Sequence, residues 1–177
     1  MPELLLGCGS NPVRRMSIAG SETWTELVTL DMNPAHKPDV VHDLNVRPWP
    51  FPDDAFDELH AYDVMEHLSR QGDYRAFFAE WSEVWRILKP GGRFFGLSPH
   101  WSGKWAWMDP GHTRVYGPEV ITYLVQPVYD KQVGTTAITD YRFCYKADFE
   151  IEGSETRDDG YFAWLLRAVK PSRITRA

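Results

Sequence analysis

Gly7-Cys8-Gly9 closes the short apolar run Leu4 to Leu6, and some twenty residues later Asp31 closes a second run, Glu26 to Leu30. A glycine turn after a strand lets a ligand approach the backbone closely. An acid at the neighbouring strand end can accept both hydroxyls of a ribose. The pair reads as a nucleoside-type cofactor site, against the plainer alternative of a tight structural turn. A pyrophosphate cofactor is disfavoured, because the dinucleotide fingerprint needs a third glycine where this chain has Pro12.

A second concentration of chemistry follows Pro99. The stretch His100 to Gly117 holds His100, Asp109, His112 and Tyr116 among Trp101, Trp105 and Trp107. Polar and aromatic loops of this length usually carry function. Proton acceptors are available there, with His67 and Asp63 further upstream. His100, Asp109 and His112 also have the donor types of a metal site. Their spacing is not diagnostic; the reading preferred is a rigid turn of Asp109, Gly111 and His112 that presents His112, and no metal is expected. The tryptophans suit a lid or an aromatic wall for a planar or sugar-like acceptor, or anchors that tie the loop down.

The elements that would position these residues are short apolar runs separated by glycine and proline. Runs at Glu3 to Gly7, Glu26 to Leu30, Asp39 to His42, Phe56 to Val64 and Arg93 to Ser98 read as strands. Apolar residues recurring at three- and four-residue steps from Gly72 to Leu88 predict an amphipathic helix, stopped by Lys89-Pro90-Gly91-Gly92. Pro118 to Val125 fits a further helix with proline in its first turn. Phe143 to Thr156 and Tyr161 to Val169 read as a terminal hairpin. Alternating strands and helices predict a mostly parallel α/β sheet ending in an antiparallel pair.

The 177 residues fit a single domain over 1–177, with 101–118 as its substrate-side loop. A formal charge of -6 argues against nucleic acid as the main partner. Two cysteines, Cys8 and Cys144, match neither a disulfide framework nor a zinc site, which implies a reducing, cytoplasmic setting. No 18-residue apolar stretch occurs, and the first apolar run lacks the flanks of a leader, so no membrane association is expected. Arg167, Lys170, Arg173 and Arg176 form a basic tail that reads as a solvated end.

LLLGCGSNP, the strand-end Asp31, VVHDLN, PWPFPDDAFDELHAYDVMEHL and RILKPGGRFF, in that order, resemble the motifs of class I S-adenosylmethionine-dependent methyltransferases. DPGHTRVY and the proline-rich PFPDDAFDEL narrow the resemblance to a bacterial type 11-like subfamily with a shortened first crossover. The resemblance implies a Rossmann-like seven-stranded sheet of order 3-2-1-4-5-7-6, helices on both faces and an antiparallel last strand. It places the methionine part of S-adenosylmethionine against Gly7, Cys8 and Gly9, the ribose on Asp31 with Met32 beside the adenine, Asp43 and Leu44 at the adenine edge, and Tyr62 with Asp63 under the sulfonium. His112, presented by its turn with Asp109, is then the expected base, with His100 as the alternative. The expected activity is methyl transfer to oxygen or nitrogen of a small-molecule or saccharide-like acceptor, with S-adenosylhomocysteine as product. Leu5 stands where the family usually has an acid and Asn11 where it has a glycine, which keeps a non-catalytic cofactor-binding scaffold of the same fold as the alternative.

Overall fold

The computed structural model describes residues 1–18, 20 and 23–175, so Arg176 of the basic tail lies outside the described residues. Strands β1 (Pro2–Leu6), β2 (Glu26–Asp31), β3 (Val40–Val41), β4 (Phe56–Tyr62), β5 (Leu88–Pro99), β6 (Phe149–Thr156) and β7 (Tyr161–Ala168) form one sheet of order 3-2-1-4-5-7-6. The first five pair in parallel, and β7 lies antiparallel between β5 and β6. The expected order and terminal hairpin are both present.

Period-two alternation separates the two faces of this sheet. Leu4, Leu6, Leu59, Ala61 and Phe94 enter the main core, whereas Leu5, Tyr62 and Leu97 enter a smaller apolar cluster. The main core is covered by α1 (Tyr74–Ile87), whose Phe77, Phe78, Trp81, Val84 and Ile87 are buried. Each such side chain contributes about 1.5–3 kcal/mol on leaving water. Asp73 caps the helix, its carboxylate accepting Ala76 N–H at 3.0 Å. At the other end the chain passes directly into β5 at Leu88, which pairs with Phe56. Pairing then jumps to Glu58 with Arg93, so the glycine-rich Lys89 to Gly92 stretch is a bulge within β5 and not a separate stop before it.

Three short helices follow: α2 (Trp105–Met108), α3 (Pro118–Thr122) and α4 (Gln126–Gln132). The helix expected over 118–125 therefore ends at Thr122 and restarts at Gln126. The strand expected from Phe143 begins only at Phe149. Cys144 and Tyr145 both donate their N–H to the Tyr141 carbonyl, which curls that segment into a turn. Asp148 is then clamped by Arg173 and by the N–H of Gln126 before the strand starts.

On the second face, irregular chain does the covering. Arg14 reaches back to the sheet and pairs with Glu3 and Glu58 while its side chain is only 6% exposed. The N–H of Met16 donates to Tyr62 Oη, and Met16 and Trp24 close the small apolar cluster.

Two buried titratable groups give stability a predicted pH profile. Glu80 is fully buried in α1 with neither carboxylate oxygen hydrogen-bonded, the nearest cation being Arg47 at 3.7 Å, and burial pushes its pKa up to about 8. His60, stacked on Phe95, is pushed down to about 3 by burial and by the Arg14 charge. Above the ordinary glutamate range the unfolded chain ionises Glu80 while the folded one does not, so stability falls as pH rises, by about 1.4 kcal/mol per pH unit. Below the ordinary histidine range only the unfolded chain protonates His60, so stability falls as pH drops. The two slopes cancel between the ordinary glutamate and histidine values, and Glu80 alone governs the alkaline side. Urea midpoints at pH 5, 6.5 and 8 are expected to stay level and then fall toward pH 8 in the wild type, and in Glu80→Gln to rise from pH 5 to 6.5 through His60 and then stay level. Parallel curves for the two proteins would overturn this assignment.

Candidate active site

A cleft of about 250 Å³ lies just beyond the carboxyl ends of β1 to β4, at the point between β1 and β4 where the strand order reverses. This is the place where open α/β sheets bind ligands. Its floor is Gly7, at the end of β1. A Cβ there would come within 2.4 Å of the Val64 side chain, and φ is +59°, so the position demands glycine on two counts.

Asp31 forms the next wall. Its Oδ2 accepts Gly9 N–H at 2.9 Å and its Oδ1 accepts Asn33 N–H at 2.8 Å. The carboxylate thus ties the glycine turn of β1 to the end of β2. Each oxygen keeps a second lone pair, which is what a ribose diol requires. Met32, largely exposed, and Leu44, buried, both line the cleft and supply apolar surface for a planar ring. Between them comes Asp43, whose Oδ1 accepts the Asn45 N–H at 2.9 Å and closes its turn. Asp43 lines the cleft while serving as a turn residue.

Past β4 the chain takes a positive φ at Asp63, and this acid lines the cleft with its carboxylate paired to Arg15 at 2.5 Å. Tyr62 and Cys8 do not line it: alternation turns both into the small cluster on the second face. Tyr62 Oη bonds His60 Nδ1 at 2.7 Å, and burial pushes its pKa up to about 12. Burial likewise pushes the Cys8 thiol up. Gly9 meets the site through its N–H on Asp31.

The next residues form a one-turn helix, Met65–His67, whose His67 lines the cleft. This turn is where the long loop docks. Thr113 and Arg114 both donate backbone N–H to the Glu66 carbonyl. Asp109, Gly111 and His112 form the expected tight turn, with Asp109 Oδ1 accepting Gly111 N–H at 2.7 Å and the Asp109 carbonyl accepting His112 N–H. The Gly111 carbonyl accepts from His67 Nδ1 at 3.1 Å, and a Cβ on Gly111 would press to 3.0 Å from that nitrogen. The His112 ring lies edge-on to His67, centroids 4.7 Å apart.

His112 Nε2 is 3.9 Å from Glu66 Oε1 and 4.0 Å from Asp109 Oδ2. Glu66 is buried, its Oε2 accepts the Ser98 hydroxyl at 2.7 Å, and burial pushes its carboxyl above the usual range. His100 is elsewhere engaged: its Nδ1 bonds the Ser102 hydroxyl at 2.7 Å and its ring packs on Trp101 and Phe162. Trp101, Trp105 and Trp107 are each about half exposed or more, and Trp107 Nε1 ties back to the Trp101 carbonyl. Glu66, Arg14 and Arg15 were not singled out from sequence. Glu66 carried one signal, its place beside His67 immediately after β4.

The donor set fits S-adenosylmethionine: an acid for the ribose, an acid and apolar walls near the adenine position, and a glycine floor at the switch point. The sequence matches the methyltransferase domain family over residues 4–96. No curated protein matches the chain in sequence. Among solved structures, an S-adenosylmethionine-dependent methyltransferase from Archaeoglobus fulgidus is similar with TM-score 0.57 at 16% identity, over 94% of this chain and 85% of that one. One from Mesorhizobium loti gives 0.52 at 16% identity over 94% and 90%. A Haemonchus contortus phosphoethanolamine N-methyltransferase, in complex with phosphoethanolamine and S-adenosylhomocysteine, gives 0.60 at 13% identity over 99% of this chain and 41% of that one. These likenesses establish the shared fold, and no helix among the described residues is long and apolar enough to cross a membrane. The family match over more than half of the chain, ending at the edge of the docked loop, shows that this protein belongs to the class I S-adenosylmethionine-dependent methyltransferase family, with S-adenosylmethionine as its cofactor.

Proposed function

We propose that the chain transfers the methyl group of S-adenosylmethionine to oxygen or nitrogen of a small-molecule or saccharide-like acceptor. The observation that carries this reading is the docking of the Asp109-Gly111-His112 turn on His67, a residue of the cleft lining. It sets an imidazole beside the end of β4, in the same loop that carries the exposed Trp101, Trp105 and Trp107. Bound S-adenosylmethionine supplies an activated methyl group with a neutral thioether as leaving group. The chain's own work is then alignment, exclusion of water and removal of an acceptor proton. In this reading Gly7, Gly9, Asp31, Met32, Asp43 and Leu44 hold the cofactor, Asp63 sits at its reactive end, and Cys8 and Tyr62 support that end from the opposite face. His112 takes the proton, Asp109 orients it, and His100 stiffens the base of the loop. The setting we assign is cytoplasmic.

One observation favours a non-catalytic cofactor-binding role. Leu5 is buried in the second-face cluster and the carboxylate of Asp63 is paired to Arg15, which leaves few acids for the ammonium group of the cofactor. Calorimetric titration with S-adenosylhomocysteine, followed by a labelled-methyl survey of hydroxyl and amine acceptors, separates the readings. Catalysis predicts binding of order 1 to 100 micromolar, about -8 to -5.5 kcal/mol, together with turnover of at least one acceptor class. Binding without any turnover would favour the scaffold, and absence of binding would overturn both.

A further inference from the structure

We propose that Glu66, His67 and His112 form a site for a divalent transition-metal ion at the junction of the cofactor cleft and the acceptor loop. One ligand atom from each residue lies within 4.8 Å of the other two. Two imidazoles and one carboxylate are the donor types that hold zinc, cobalt or ferrous iron with coordination positions left open.

Surrounding bonds orient two of the three donors, His67 and Glu66. His67 Nδ1 faces the Gly111 carbonyl, an acceptor only, so it carries the hydrogen and Nε2 is left with its lone pair. Glu66 Oε2 accepts the Ser98 hydroxyl, while Oε1 is buried with no hydrogen-bond partner. This orphaned oxygen is the one 3.9 Å from His112 Nε2. His112 Nδ1 is likewise buried without a partner. A buried carboxylate oxygen with nothing to bond keeps the full cost of leaving water, and an ion between these groups would satisfy it. Bonds of ~2.0–2.2 Å hold neighbouring ligand atoms ~3.3–3.5 Å apart, so the three groups would close in by about 1 Å, chiefly through the exposed His67 ring.

An ion here would clip the acceptor loop to the turn after β4. It would also take over the proton chemistry, a step that rests on the methyl-transfer reading although binding of the ion does not. His112 gives its lone pair to the metal, and an acceptor hydroxyl on an open position loses its proton to solvent more readily. The acceptor oxygen then forms the bond to the methyl carbon as the carbon–sulfur bond breaks and its electron pair returns to sulfur.

The test is equilibrium dialysis of the untagged chain against zinc, and against cobalt with its visible absorption as readout, with no acceptor present. One equivalent per chain is expected, with affinity lowered at least tenfold in His67→Ala and in His112→Ala. His67 is exposed and its removal leaves the core intact, so that variant reports the site even if His112→Ala misfolds. Ser98→Ala is expected to weaken the ion tenfold or more through Glu66 alone. His36→Ala, remote from the cluster in sequence, is expected to bind zinc as the wild type does. Absence of stoichiometric binding, or binding indifferent to His67→Ala, would overturn the site. S-adenosylhomocysteine titration of the same preparation reads the cofactor site separately, so failure of the metal proposal is distinguishable from failure of the methyl-transfer reading.

Discussion

Asp31→Ala is expected to weaken S-adenosylhomocysteine binding by about a hundredfold or more. In the proposed site two ribose hydroxyls donate to one carboxylate; such charge-assisted bonds are each worth about 1.5–3 kcal/mol, and together they convert to a factor of ~10² to 10⁴ in Kd. The substitution also removes the acceptor for the N–H groups of Gly9 and Asn33, so the glycine turn loses its tie to β2. Asp31→Asn separates the two effects, because its amide oxygen still accepts one N–H while the negative charge is gone. It is expected to fall between wild type and alanine. Titration with adenosine should show the same relative loss as S-adenosylhomocysteine, since both present the ribose. A change of less than threefold in Asp31→Ala would remove the ribose from this acid and with it the assignment of the cleft.

How much of this was legible in the sequence follows from what each signal physically is. The strands were readable because Leu4 to Leu6, and Leu27 to Leu30 broken by Thr29 alone, are apolar segments closed by turn residues. Position along the chain then set the glycine turn beside the strand-end acid. The Asp109-Gly111-His112 turn was readable because an acid two residues before a glycine caps its own backbone. Tyr62 and Cys8 were not, since which face a strand residue occupies depends on register. One step past the end of β4 separates Asp63 in the cleft from Tyr62 behind it. Glu66 escaped notice for another reason. An acid between Met65 and His67 looks like an ordinary helix-start residue, and only the docking of a loop more than forty residues away buries it. The segment after Phe143 misled through its apolar composition, because a turn on the Tyr141 carbonyl and the Arg173 clamp on Asp148 override strand propensity there.

The irregular crossover is the least legible part of the fold, and Arg14 is where its stability concentrates. Arg14 bonds Glu3 at 2.8 Å and pairs with Glu58, itself 3.3 Å from His60, while Glu3 also accepts the N–H of Thr25. Glu3 is 1% exposed and Glu58 13%. Arg14→Ala would strand two carboxylates away from water, a change that typically costs about 3–5 kcal/mol. For a chain of this size the expected fall in Tm is about 10 °C. The sign with pH provides the check: burial already raises the Glu58 carboxyl and the Arg14 charge opposes that, so without Arg14 it is more easily protonated and the penalty is expected to shrink at pH 4.5 relative to pH 7.5. Glu3→Gln combined with Arg14→Met should recover part of the loss, because it removes charge along with its partner. Arg15, the next residue, holds Asp63, and Met16 holds Tyr62, so loosening Arg14 is expected to weaken S-adenosylhomocysteine binding at conditions where the variant is still folded. A Tm within about 2 °C of wild type at pH 7.5 would mean that water reaches the two carboxylates, and that packing of Met16 and Trp24 alone holds the crossover on the sheet.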